Sequence, residues 1–250
     1  MAIDSYNAAK KQIEAEARGE FFPGLEIIAG IVTKAAGVVG FELPNFVELC
    51  GNCIRRNSAE NLKYLFESLV EDVKRIGLKQ EKFEAAGKEE REALNQLVSE
   101  AVVRAAEAKS KERVRRIASV LANAFSLGPK QSYEDERELI DIASQMAESD
   151  AAVLGVMMRH QGNTVKSDLG LADINVANKT WKVMREQNEE FRKPRIHVSC
   201  ARLQAYGLII RMDRNSSELD LATNAYSITT FGVQFCEWCL QEVAGASRGV

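Results

Sequence analysis

Residues 149 to 243 read as an unbroken order of elements, and that order admits few folds. Ser149-Asp150 offers a helix start ahead of Ala151-Ala152-Val153-Leu154-Gly155-Val156-Met157-Met158. A long polar helix is expected over about Ile174 to Phe191, and a short one from Ser199 to Tyr206, stopped by Gly207. Leu208 to Met212 and Tyr226 to Thr229 are strand-like runs flanking a polar tip, Asp213 to Asn224. A last helix is expected over Phe231 to Val243. Three helices followed by a hairpin make the layout of a winged helix, a helix-turn-helix variant whose third helix and hairpin form the contact surface. Such a layout specifies a mode of binding more than a chemistry.

The remainder reads as helix. Four prolines in 250 residues, with much Ala, Glu, Lys, Arg and Leu, favour helical structure throughout. At 46% hydrophobic and 28% charged residues the chain has ordinary globular composition, and its length suits two domains. Weak helical patterning covers residues 2 to 18, Leu25 to Val39 carries small residues at close-packing intervals, and Pro44 precedes a helix over Asn45 to Arg56. The clearest stripe is Leu62, Leu65, Phe66, Leu69, Val70, Val73 and Ile76, spaced at three and four and so destined for a core. A long helical run from about Lys88 to Ser126 is polar all round at Lys109 to Arg113, which marks either a break or a solvent-bridging segment. Gly128-Pro129 closes it, and Ser132-Tyr133-Glu134-Asp135 resembles a helix start. The expected architecture is therefore mainly α: an N-terminal helical bundle over 1–130, then a winged-helix-like domain with a small β-hairpin over 131–250.

A net charge of −3 excludes a global polyanion-binding footprint. Between Lys179 and Arg214, however, nine basic residues face four acidic ones. Leu25 to Val39, interrupted by Glu26 and Lys34, is too short to span a bilayer, and the polar start Met1-Ala2-Ile3-Asp4 does not look like a secretory signal. Five scattered cysteines fit reduced thiols, so a cytoplasmic location is expected.

Catalytic fingerprints are missing: no phosphate-binding glycine loop, no zinc-protease helix motif and no nucleophile elbow. The two histidines, His160 and His197, lie beside expected helix ends and read as surface or capping residues. Cys50/Cys53 and Cys236/Cys239 have the spacing of a four-thiolate zinc site if the segments meet, but both pairs fall inside expected helices, where cysteine packs as a small apolar residue. Neither an enzyme nor a cofactor is expected. The contact candidates are Arg195, His197, Ser199, Arg202 and Gln204 on the short helix, with Arg211 and Arg214 on the hairpin. Leu203, Tyr206 and Leu208 are expected to face inward. Because the short helix has few cations of its own and Glu218 and Asp220 sit on the tip, a protein partner is favoured, with DNA as the alternative. The long N-terminal helices offer a route to a homodimer.

Arg115-Arg116-Ile117-Ala118-Ser119-Val120-Leu121-Ala122-Asn123-Ala124-Phe125, Glu138-Leu139-Ile140, Met146 to Leu154, Leu203 to Ile210 and Tyr226 to Cys236 together resemble the bacterial abortive-infection alpha-type proteins over about residues 110 to 240. The resemblance implies a bacterial, phage-defence-associated protein with a helical region ahead of a compact C-terminal unit. It supplies no catalytic residues.

Overall fold

A computed structural model describes residues 59–76, 87–165, 170–187, 193–212 and 225–240. The helices expected over 2–18, 25–39 and 45–56, the pair Cys50/Cys53, and the hairpin tip with Arg214 lie outside the described residues. The described chain is mainly helical with one two-stranded antiparallel hairpin, and no helix in it is long and apolar enough to cross a membrane. It divides into two compact units between Gln145 and Met146, past the Gly128-Pro129 turn where the sequence reading put the boundary.

Unit 1 contains α1 (Ala59–Ile76), α2 (Lys88–Glu107), α3 (Lys111–Leu127) and α4 (Glu134–Gln145). On α1 the expected stripe buries Leu62, Leu65, Phe66 and Leu69, while Val73 and Ile76 lie at its half-buried end. The polar stretch 109–113 is a break. Ser110 caps α3 by accepting the Arg113 amide at 3.4 Å, and Asn61 Nδ2 donates to the Ala108 carbonyl at 2.8 Å, so α1 satisfies the end of α2. Helix α3 packs on α1, α2 and α4 and is buried on nearly every side, from Val114 through Phe125. The α3–α4 turn is a folded knot. Gly128 takes φ 88°, the Tyr133 hydroxyl donates to its carbonyl at 3.2 Å, and Lys130 pairs with the buried Glu136. Helix α4 starts at Glu134, leaving Tyr133 rather than Ser132 just ahead of it. Its Leu139, Ile140 and Ala143 fill the unit 1 core, and Arg104 holds Asp141 at 2.6 Å.

A second buried feature of unit 1 is ionic. Asp72 is fully enclosed and accepts from Arg75 and Arg115, each at 2.8 Å, and from the Ser119 hydroxyl at 2.9 Å. Arg115 also donates to the Ser68 carbonyl, stitching α3 to α1 by side chain and backbone together.

Unit 2 contains α5 (Glu148–Gln161), a short 3₁₀ turn at Gly162–Thr164, α6 (Ile174–Gln187), α7 (Lys193–Ala205), β1 (Ile209–Met212), β2 (Ala225–Ile228) and α8 (Thr230–Cys239). Asp150 reaches back to the Ala147 amide at 3.3 Å, the returning half of a capping box. The strands pair with Ile209 opposite Ile228 and Met212 opposite Ala225. Gly207, at φ 70°, closes α7 with Leu208 N donating to Leu203 O, so the chain leaves the helix directly into β1. Leu171 bridges Thr229 in antiparallel sense beyond the hairpin.

The far edge of β2 is closed by a side chain. The fully buried Gln161 donates from Nε2 to Tyr226 O at 3.1 Å and accepts from Ile228 N at 2.8 Å, so one carboxamide takes the place of a strand residue. Ser227 Oγ accepts the Ala172 amide alongside it. Helix α8 then comes so close to the α7–β1 turn that a Cβ on Gly232 would stand 2.1 Å from Leu208 O.

Candidate interaction surface

The expected short helix is longer than its sequence suggested. It begins at Lys193 rather than Ser199, because Pro194 occupies the first turn, where its missing N–H has no helical partner to lose. Ser199 stands four residues, about one turn, before Leu203 in a continuous helix and so shares its face. Ile196, Ser199, Cys200 and Leu203 form the buried face, so Ser199, expected on the surface, is an inward residue whose hydroxyl meets Ser149 Oγ at 3.4 Å. Leu208 is buried as expected, whereas Tyr206 is only partly enclosed.

The outer face of α7 carries His197, Val198, Ala201, Gln204 and Ala205, all exposed, with Val198 at 52% of its full area. His197 is inside the helix, not beside its end. Its ring tilts against Trp181 of α6 with centroids 5.7 Å apart, and Trp181 in turn meets Tyr226 of β2 at 5.4 Å. His160 does sit at a helix terminus, in the last turn of α5.

Arg202 is drawn to one side of this face. Its Nε donates to Asp150 Oδ2 at 2.8 Å and its Nη2 to Oδ1 at 2.6 Å, a two-pronged grip on a carboxylate with no exposed surface. That hydrogen bond, with the carboxylate charge behind it, raises the guanidinium pKa against the opposing cost of burial. Of the other candidates, Gln204 and Arg211 are exposed, the Arg195 side chain lies outside the described residues, and so does Arg214. The structure thus brings His197 and Gln204 onto one face, with Arg202 committed at its rim. Asp150 was not among the sequence candidates; Ser149-Asp150 was readable as a helix start, its partnership with Arg202 was not.

The described thiols offer little chemistry. Cys200, Cys236 and Cys239 are free and buried. Burial pushes the Cys200 thiol up to about 12 and Cys236 higher still, favouring the neutral form. No cluster of three or more His, Cys, Asp or Glu side chains suited to a metal occurs among the described residues. No family model, no curated protein and no solved structure matches the chain.

Proposed function

We propose that unit 2 is a winged helix serving as a protein-interaction module, acting by binding rather than catalysis. The order α5, α6, α7, β1, β2 supports the winged-helix reading, as does the Leu171–Thr229 bridge, which supplies a third short pairing between α5 and α6. The observation that carries the function is the face of α7. Among the described side chains His197, Val198, Ala201, Gln204 and Ala205 make it partly apolar with no lysine or arginine, and Arg202 at its rim is paired with Asp150. Phosphate recognition leans on cations and polar donors at such a helix, whereas a face with an exposed valine and two exposed alanines suits a protein partner. A setting in bacterial phage defence or regulation rests on the resemblance over residues 110 to 240 alone.

DNA reading is the alternative, favoured by Lys179 and Lys182, which lie exposed on α6. The test pairs two measurements on the full chain. A photo-crosslinking side chain at Val198 should capture one protein, and Ala201→Glu, which alters the exposed face without touching the core, should abolish the capture. Sequence-specific protection of DNA at nanomolar affinity and physiological salt, with no protein captured, would refute the reading.

A further inference from the structure

We infer that Asp150 is a specificity-determining residue: it holds Arg202 so that α7 does not accept a phosphodiester backbone. The inference rests on the reading of α7 as the contact helix of unit 2. Discrimination between partners is achieved as much by penalties against the wrong one as by contacts with the right one. Arg202 lies on α7 at the rim of the exposed face, with its side chain 42% accessible, so its guanidinium, a common phosphate-contacting group, is within reach of a molecule lying on that face. Yet both oxygens of Asp150 are engaged by it at 2.6 and 2.8 Å. A phosphate approaching the guanidinium therefore meets a fixed anion immediately behind it, and the attraction and repulsion largely cancel.

The arrangement is stable because each partner has reason to stay. Asp150 has no exposed surface and needs a cation, and its position in the first turn of α5 keeps its carboxylate near the free amides of that helix end. Ser149 and Ser199 crowd the same spot, with the Ser149 hydroxyl 3.4 Å from Asp150 Oδ1 and 3.5 Å from Arg202 Nη2. Arg202 Nη1 has no partner among the described residues, so the guanidinium keeps donors to offer once the carboxylate is neutral.

The experiment measures binding of the full chain to a duplex of random sequence as salt is raised. Asp150→Asn preserves shape and removes the charge, and it should bind more tightly at low salt than the unaltered chain. Its affinity should fall roughly threefold further between about 50 and 200 mM salt, the signature of one additional neutralised phosphate. Asp150→Asn combined with Arg202→Met should return to the starting behaviour. Glu237→Gln, the same charge change on the exposed surface of α8, should show no such gain. Equal gains from Asp150→Asn and Glu237→Gln, or no gain from either, would overturn the inference while leaving the protein-partner reading intact. If Asp150→Asn fails to fold, the Arg202 Nε–H resonance of the unaltered chain decides: it should stay in place during titration with the duplex. A shift that saturates with DNA overturns the inference, and nanomolar sequence-specific binding by the unaltered chain overturns the underlying reading as well.

Discussion

Asp72 in unit 1 and Asp150 in unit 2 are both shut away from solvent and both paired with arginine, but the two pairs are built differently. Asp72 spreads its charge over Arg75 of its own helix and over Arg115 and Ser119 of α3. Among the described residues Asp150 has Arg202 as its one arginine, with the Ala147 amide at 3.3 Å and the Ser149 hydroxyl at 3.4 Å as further, neutral donors. The surroundings differ in the same sense: α3 is enclosed on nearly every side, whereas α7 buries one face and leaves the other open. Shared charge belongs to a region that is all core. Charge balanced by one arginine stands beside a surface, where one substitution can change what the surface presents.

Arg202→Met gives the largest expected effect, because it strands a buried carboxylate; about 4 kcal/mol of stability should be lost from unit 2 in chemical unfolding. Less than 1 kcal/mol would mean that water reaches Asp150 and that the comparison fails. Gly232→Ala comes next at about 2 to 3 kcal/mol, since the new methyl meets a backbone carbonyl that can retreat only by moving the α7–β1 turn. Hydrogen exchange should show the loss confined to β1, β2 and α8. Arg115→Met should cost only about 1.5 kcal/mol, because Asp72 keeps Arg75 and Ser119. A loss equal to that of Arg202→Met would show that sharing confers no protection.

The smallest expected effect is one of pH. Burial raises the Tyr133 phenol from its ordinary 10.0 to about 12 and the Cys200 thiol from 9.0 to about 12. The unfolded chain releases these protons before the folded chain does. Their contribution is therefore complete below about pH 9 and lost as pH climbs towards 12. Tyr133→Phe should make the melting temperature decline less steeply between pH 10 and 12. An unchanged slope would place the Tyr133 hydroxyl in water.

Periodicity made much of this legible. The stripe from Leu62 to Leu69 and the strand runs on either side of Asp213 to Asn224 were readable, because each element shows its buried face in its own spacing, while the polarity of Lys109 to Arg113 left a break and a solvent-bridging segment both open until the structure showed the break. Long-range polar partners were not. Asp72 finds Arg115, Asp150 finds Arg202 and Gln161 finds Tyr226 across stretches that no local pattern connects. The start of α7 was not legible for a simpler reason: Pro194 is compatible with a first helical turn, and Ser199, one turn ahead of Leu203 in a continuous helix, shares its buried face. Gly128-Pro129 read as a hinge between domains, but Tyr133 and Lys130 fold it into a turn within unit 1.

Gln161 has a consequence for how the protein behaves among its own copies. A bare strand edge is a template on which another chain can assemble, and proteins protect such edges by covering or interrupting them. Here one carboxamide occupies the Tyr226 carbonyl and the Ile228 amide, and the chain at Gly170 to Ala172 lies beside the end of the strand. The hairpin cannot grow sideways from β2 without first expelling a buried side chain. Shortening that side chain leaves a carbonyl and an amide of a fully buried strand without partners, so the strand must loosen before a neighbouring chain can reach it, and the damage would surface as lost stability and, from the loosened state, self-association.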